Sequence, residues 1–577
     1  MRILLLTHSY NSLAQRLHAE LARRGHDVSV ELDIADAVTA EAVAAHAPDL
    51  VVAPFLKRAI PESVWRRMRC LVVHPAIPGD RGPSSLDWAI LDGEATWGVT
   101  VLQANAVMDG GDVWAHREFA LPAARKSSVY RHEVTEAAVA AVFEAIARIE
   151  RGDARGERFE PGAPGVRGRP RPPVRADERR IDWSTERTGA VLRKLWSADG
   201  APGVADRVGD ADCRLFDAHA ETRLTGRPGE WIARRADALC RATVDGAVWI
   251  GHVRRAFDAG DFKRPAALAL PEVAAGVPVL PLPALPPRET GTWQDIGYEE
   301  RGQVGILRFD FYNGAMSTSQ CERLRRAFVE ATRRPTRVIV LAGGPDFWSN
   351  GIHLNAIEAA ESPADESWAN IVAIDDLAQA LLECRTQLTV AALAGNAAAG
   401  GVFLALATDR VIARDGVVLN PHYKNMGNLY GSEYWTYRLP ARVGDAGARA
   451  LMEERLPMLA ADAGRRGLVD AIGCAPAQAF DAEVADVAAS MAADAGFADA
   501  LAAKLRRRDS DEAVKPLARY RDEELARMRL NFYGFDPSYH VARYHFVHRV
   551  PHAWTPLHLA RHRRRIAAAG AVRAVAA

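Results

Sequence analysis

The sequence predicts a multidomain α/β protein that opens on a Rossmann-like, open parallel sheet, passes through a small barrel and ends on a second strand-and-helix domain. Three observations predict it. The 577 residues exceed what one core serves, since domains hold about 100–200 residues. The first hundred residues alternate short apolar runs with helical stretches, as parallel sheets do. Two Gly/Pro-rich tracts, 151–175 and Pro265–Pro287, then divide the chain.

Each element follows from local pattern. Arg2–Thr7 is an apolar strand, and Leu13–Arg24 is a helix with Leu13, Leu17 and Leu21 on one face, stopped by Gly25. Asp27–Leu32, Leu50–Pro54 and Cys70–Val73 are further strands. Ligands of such sheets bind at the carboxyl ends of the strands. The first strand is followed by His8-Ser9-Tyr10-Asn11-Ser12 rather than G-x-G-x-x-G, which argues against NAD. The 151–175 tract reads as a linker or a wrapping segment. Ile181-Asp182-Trp183-Ser184 opens a helix-like stretch, and strand-and-turn patterns through Trp231 and Trp249 suggest a small barrel. Beyond the second Pro-rich tract, Gly305–Phe309 and Val338–Ala342 are strands. The expected domains are 1–170, 171–265, a linker at 266–294, and 295–577.

Bulk properties restrict the partners. Lysine plus arginine equals aspartate plus glutamate at 73 each, which removes a whole-chain argument for nucleic acid or an acidic membrane. Small-molecule partners are expected. Cys70, Cys213, Cys240, Cys321, Cys384 and Cys474 form no C-x-x-C pair, so neither a disulfide framework nor a zinc knuckle is indicated. The apolar start is interrupted by His8, Ser9 and Asn11 and reads as a buried strand, not a signal peptide. No stretch reaches the roughly 20 apolar residues of a membrane span. A reduced, cytoplasmic protein is the expectation.

The first chemical cluster runs from His74-Pro75 through Gly82-Pro83-Ser84 and Gly98-Val99-Thr100 to Asp109-Gly110-Gly111-Asp112. A histidine at a strand end can present its imidazole to a pocket, and a later carboxylate can orient or charge it. A satisfied core histidine beside a turn is the alternative. The order H-P-x6-G-P, G-V-T, D-G-G-D resembles the folate-dependent formyltransferases, and Arg180-Ile181-Asp182-Trp183 resembles the start of their small, OB-like barrel. The resemblance implies roles for His74 and Asp109 at the formyl group, a pterin held along Pro54, Phe55 and Leu56, and ligand contacts at Gly82, Pro83 and Ser84. It departs at Val72, where that family keeps an Asn whose amide would stabilise an oxyanion. A thiol acceptor would be an easier nucleophile in one respect, because its thiolate is accessible near neutral pH.

The second cluster is Phe347-Trp348-Ser349-Asn350-Gly351-Ile352-His353, followed by Ala394–Gly401 and Ala405–Ala413. Two Gly-rich strand-to-helix turns can aim two backbone N–H groups at one carbonyl oxygen. Their order resembles the crotonase (enoyl-CoA hydratase/isomerase) superfamily over 302–473 and so implies a crotonase fold. By that resemblance, the amides of Ile352 and Gly400 form an oxyanion hole for a coenzyme A thioester, with Ser349 and Gly351 among the residues that bind it. The carboxylates that hydratases use fall on Phe403 and near His422, so water addition to an enoyl thioester is not expected. Tyr423 and Glu433, in a run rich in Tyr and Trp, become candidates for proton transfer. A surface interface is the alternative for that run.

The two departures, read with the fusion, resemble the HypX (HoxX) family of nickel–iron hydrogenase maturation. Gly79–Ala89, Asn420-Pro421-His422-Tyr423-Lys424 and Tyr430–Tyr437 carry that resemblance. It implies transfer of the formyl group of N10-formyl-tetrahydrofolate to coenzyme A, followed by release of carbon monoxide, with hydrogenase maturation proteins as its recipients. Formyl carbon and carbon monoxide differ by a proton and the thiolate, with no net electron transfer, so neither metal nor nicotinamide is required. The alternatives are a formyl-CoA hydrolase, a formyltransferase to an amine, and a scaffold without catalysis. The tail from Leu505 is basic, with Arg543, Arg549 and Arg561–Arg565; Arg543 and Arg549 are candidates for coenzyme A phosphates. His558 and His562 stand i, i+4 but lack neighbouring carboxylates or cysteines, and no metal is expected.

Overall fold

The computed structural model describes residues 1–255 and 261–564; Arg565, the last of the basic run, lies outside them. The chain divides into two compact units, Met1–Ala218 with the segment from Pro551 onward, and His219–Val550.

In the first unit the strands are β1 (Arg2–Thr7), β2 (Asp27–Leu32), β3 (Leu50–Phe55), β4 (Cys70–His74), β5 (Thr96–Gln103) and β6 (Val113–Ala120). They stand in the order β2-β1-β3-β4-β5-β6. The first four run parallel, as expected, while β5 and β6 are antiparallel to their neighbours and make a mixed edge. β1 and β2 bury five of six residues each, as strands covered on both faces do. Helix Ser12–Arg23 is capped by Asn11, whose side chain accepts from the Ala14 amide, and it buries Leu13, Leu17 and Leu21. Each such leucine contributes about 2 kcal/mol.

β2 is an edge strand, and edges left open invite pairing with other chains. The end of the described chain covers it. The Val30 amide donates to the Leu559 carbonyl at 3.1 Å, and the Leu32 amide to Thr555 Oγ1 at 2.9 Å. Glu31, fully buried, accepts from Thr555 and His562 Nε2 and pairs with Arg563 at 2.9 Å. His562 also meets Ser29 Oγ at 2.7 Å. Part of the basic tail is therefore a strap on the first sheet, and His562 is committed to it.

The 151–175 tract is a wrapping segment. The Arg81 amide donates to the Arg169 carbonyl and the Arg171 amide to the Arg81 carbonyl. Arg171 pairs with the buried Asp80 at 2.7 Å. Ile181–Ser184 is turn rather than helix, and the helix follows at Thr188–Ala198. β7 (Val204–Val208) and β8 (Ala211–Glu221) form an antiparallel hairpin. In the second unit, β9 (Trp231–Arg235), β10 (Ala238–Ala242), β11 (Ala247–Arg255) and β12 (Arg264–Pro265) continue the antiparallel pattern. Among the described residues no strand pairing closes these strands into an OB-like barrel. The Pro265–Pro287 tract is ordered in part along β9, where Arg234 exchanges backbone hydrogen bonds with Pro278 and Leu280.

The remaining strands build two sheets. β13 (Ile296–Arg301), β14 (Val304–Phe309), β15 (Val338–Gly343), β17 (Leu388–Leu393), β19 (Arg410–Arg414) and β22 (Ala471–Gly473) form the larger, parallel apart from the β13–β14 hairpin. The smaller has the order β16 (Phe347–Ser349), β18 (Asn396–Ala398), β20 (Val418–Asn420) and β21 (Met458–Leu459), and its first three strands are parallel. A large core, including Phe309, Phe328, Trp348 and Phe403, lies beneath both.

Candidate functional site

In the first unit His74 ends β4, the central position of the sheet, and is buried. Its Nδ1 stands 3.8 Å from Asp109 Oδ1. Its Nε2 is buried and has no partner among the described residues, the state expected of a group that awaits a ligand. Asp109 adopts the left-handed conformation (φ 51°), and its other oxygen accepts the Gly82 amide at 3.1 Å. The glycines after it answer a steric demand, because a Cβ on Gly111 would lie 1.7 Å from the Gln103 carbonyl oxygen. Thr100 and Trp97 on β5 bond the carbonyls of Ala76 and Pro75 and fix the loop leaving His74.

The structure brings the neighbouring candidates into the same loop system. Gly82 (φ 128°) presses against Arg171, whose carbonyl oxygen would be 2.1 Å from an added Cβ. Ser84 Oγ accepts from the Val174 amide at 3.3 Å, and Pro83 is exposed beside it. Val72 lies two residues before His74 and so on the same face of β4. It packs half-buried against the apolar cluster of Leu6, Val51 and Ala53. Pro54, Phe55 and Leu56 close β3. The Phe55 carbonyl is already used by the His8 amide at 2.7 Å and Thr7 Oγ1 at 3.2 Å, and the Phe55 ring meets Tyr130 edge-on.

In the second unit three parallel strands of the small sheet deliver the candidate groups from their carboxyl ends. β16 leads into Ser349 and the Gly351-Ile352 turn, β18 into Ala399-Gly400, and β20 toward Tyr423. Ser349 Oγ accepts the Gly351 amide at 3.0 Å. A Cβ on Gly351 would stand 3.3 Å from the Gly400 nitrogen, so the two turns touch. Among the described residues neither the Ile352 nor the Gly400 amide donates within the protein. Ala399 precedes Gly400 at φ 47°, a strained conformation of the kind that concentrates at functional sites.

Glu433 completes this site. A Cβ on Gly400 would be 2.0 Å from Glu433 Oε1, which places the carboxyl directly over the Gly400 turn. Glu433 Oε2 accepts from Tyr423 Oη at 2.5 Å and from the Ser432 amide at 3.2 Å. Tyr423 also donates toward the Ser432 carbonyl at 2.9 Å. Its ring stacks on Phe403 at 5.1 Å between centroids and 16° between planes. Phe403 is fully buried and presents an apolar wall to Tyr423.

Sequence reasoning missed two residues here. Asp375, on helix Pro363–Leu382, accepts from Ser432 Oγ at 2.7 Å and from the Glu433 amide at 2.7 Å. Glu524, on helix Leu517–Tyr533, accepts the Tyr434 amide at 2.9 Å, the Thr436 amide at 2.8 Å and the Thr436 hydroxyl. Burial raises the proton affinity of Glu433, Asp375 and Glu524, and charge repulsion from Asp375 adds to it at Glu433 and Glu524. Glu524 is pushed up to about 8. Burial, then Glu433, pushes the Tyr423 phenol well above its ordinary range. A signal was present: Asp375 shares an apolar stripe with Ile371, Ala378 and Leu382, and Glu524 one with Leu517, Met528 and Phe532.

The two arginine candidates differ. Arg543 is buried and gives its guanidinium to Glu358 at 2.7 Å and His540 Nδ1 at 2.7 Å, whereas Arg549 is exposed. Among the described residues no group of three or more His, Cys, Asp or Glu could hold a metal, and no helix is long and apolar enough to cross a membrane.

With this geometry established, known proteins can be compared. The family model "Formyl transferase" matches residues 33–146, "Formyl transferase, C-terminal domain" residues 173–264, and "Enoyl-CoA hydratase/isomerase" residues 305–529. The hydrogenase maturation factor HoxX of Bradyrhizobium diazoefficiens is 58% identical over 98% of this chain and 97% of its own length. A methionyl-tRNA formyltransferase of Desulfotalea psychrophila is 28% identical over 35% of this chain and 62% of its own. The crystal structure of HypX from Aquifex aeolicus in complex with tetrahydrofolic acid is similar with a TM-score of 0.93 and 47% identity, covering 98% of this chain and 99% of that one. A formyltransferase-like unit and a crotonase-like unit on one polypeptide, matched end to end by such relatives, place this chain in the HoxX/HypX family of hydrogenase maturation factors.

Proposed function

We propose that this chain makes carbon monoxide for hydrogenase maturation by moving the formyl group of N10-formyl-tetrahydrofolate to coenzyme A and then decarbonylating formyl-CoA. The observation that carries the reading is the Glu433 carboxyl, buried over Gly400 beside two amides that have no partner among the described residues. A formyl thioester whose oxygen takes those amides would present its hydrogen to that carboxyl.

In the first step His74 takes the thiol proton as sulfur attacks the formyl carbon, and returns it to the departing N10 amine. Asp109 steadies the charged imidazole. The His74 Nε2, which has no partner among the described residues, would carry this transfer. Pro54, Phe55 and Leu56 line the pterin side, and Gly82, Pro83 and Ser84 the loop opposite. In the second step the Ile352 and Gly400 amides hold the thioester oxygen, with Ser349 and Gly351 fixing their turn. Glu433, as carboxylate, removes the formyl hydrogen as a proton while the carbon–sulfur bond breaks. Carbon monoxide leaves, Glu433 returns the proton to the thiolate, and coenzyme A is regenerated with no electron exchanged. Tyr423 holds Glu433 in place. Phe403 excludes water, which favours carbon monoxide over formate.

The exposed Arg549 is the candidate for coenzyme A phosphates, and Arg543, already paired with Glu358, a support for that helix. The domain division at 170, 265 and 294, a cytoplasmic setting and a maturation protein as recipient belong to the same reading. Purified protein given formyl-labelled N10-formyl-tetrahydrofolate and coenzyme A should release labelled carbon monoxide, trapped by reduced haemoglobin. Labelled formate in its place would make the chain a hydrolase, and turnover without coenzyme A would remove the thioester.

A further inference from the structure

Glu433 and Tyr434 both hold left-handed backbone conformations (φ 59° each), which non-glycine residues adopt rarely and here adopt in succession. Each amide of this pair is caught by a buried carboxylate from a different helix: Glu433 by Asp375 and Tyr434 by Glu524. Asp375 is fully buried, and both its oxygens face the turn, receiving the Ser432 hydroxyl at 2.8 and 2.7 Å. Both oxygens are taken up by donors of Ser432 and Glu433, so Asp375 is not itself placed to meet a substrate.

We propose that Asp375 is the positioning residue for Glu433: its carboxylate locks the turn that aims Glu433 at Gly400 and, through its charge, makes Glu433 a stronger base. The inference deepens the proposed function and rests on it. Two like charges in a water-excluded site cannot both ionise easily, so the pair holds a proton to higher pH than either would alone. Burial is the larger cause of the raised proton affinity of Glu433, and Asp375 comes next. Tyr423 and Glu524 also face Glu433, and the Cys321 thiol senses its charge. Arg521, Asp376 and Tyr434 stand around Asp375, with Arg521 paired to Asp376. The buried donors on Asp375 favour its ionised form and leave the shared proton on Glu433. A helix carboxylate that only stabilised the fold would not set the ionisation of a residue 58 positions away.

The test is the pH profile of formyl-CoA decarbonylation in three full-length variants. Asp375→Asn keeps the shape and removes the charge, so the rising limb should move to lower pH by about one unit or more. Ser432→Ala withdraws a hydrogen bond from the Asp375 anion and shifts the shared proton toward Asp375, so the limb should move the same way by a smaller amount. Asp375→Ala frees the turn and should lower kcat by about 10²-fold with KM little changed. A limb that stays in place in Asp375→Asn or Ser432→Ala, or a wild-type kcat in folded Asp375→Ala, overturns the proposal. The infrared carboxyl band that disappears in Glu433→Gln reports protonation of Glu433 without turnover, and in Asp375→Asn it should titrate away at lower pH. If Glu433→Gln still releases carbon monoxide, the proposed function falls, and an unshifted band separately overturns the role of Asp375.

Discussion

The His74 site and the Glu433 site are built on opposite terms. Among the described residues His74 has one charged neighbour, at 3.8 Å, and a ring nitrogen without a partner. Glu433 sits in a saturated network in which Tyr423, Ser432, Asp375 and Glu524 are buried and hydrogen-bonded. The difference follows from the residue each uses. An imidazole offers one ring nitrogen to a positioning partner and the other to a ligand, so on the proposed reading its site needs orientation and open room. A carboxylate is a weak base until burial and like charge strengthen it, and burial brings an obligation to satisfy every neighbouring polar group. The contrast teaches that sparse and dense sites can do the same class of work when their side chains start from different acidities.

The most damaging change should be Glu433→Gln, with carbon monoxide release down by about 10²–10⁴-fold and formyl-CoA accumulating, as read by haemoglobin trapping and chromatography. Full release in that variant would break the comparison at its dense end. His74→Ala should slow formyl transfer to coenzyme A by about 10²–10³-fold while leaving decarbonylation of supplied formyl-CoA intact; unchanged transfer would break it at the sparse end. Gly400→Ala places a methyl group 2.0 Å from Glu433 Oε1 and should cost roughly 10²-fold in decarbonylation through displacement of the carboxyl. A circular dichroism spectrum like the wild type would separate that effect from misfolding.

The smallest effect is on stability. Glu524 binds a proton more tightly in the folded chain, where it is pushed up to about 8, than at its ordinary value of 4.5. Its stabilisation is therefore complete below about pH 4.5 and is lost as pH rises through about 8, since the folded state then binds more protons than the unfolded one. Each unit of such a shift corresponds to about 1.4 kcal/mol, so thermal midpoints should fall between pH 6 and 9. The fall should be shallower in Glu524→Gln, and an identical slope would show that Glu524 does not carry it.

Much of this was legible in the chain itself. His74, Asp109, Ile352, Gly400, Tyr423 and Glu433 stand in motifs whose glycines answer local steric demands, and such demands are written in consecutive residues. The parallel strands β1, β3 and β4 were legible because their runs are largely apolar, and β2 because Val28, Val30 and Leu32 alternate with polar residues. What escaped was long-range. Asp375 and Glu524 lie 58 and 90 residues from the amides they hold, on helices with ordinary stripes. The commitment of Arg543 to Glu358 spans 185 residues, and nothing in local charge separates an arginine that binds a ligand from one that pins a helix. The antiparallel edge of the first sheet was likewise hidden, because strand direction depends on partners and not on periodicity.

The strap on β2 has a temporal consequence. The first unit is not a prefix of the polypeptide: Glu31 and Leu32 emerge from the ribosome early, while Thr555, Leu559 and His562 arrive more than five hundred residues later. At about 5–20 residues per second that interval is roughly half a minute to two minutes. During it the β2 edge is exposed and the formyltransferase-like unit is unfinished, so residues made late act as a seal on residues made early.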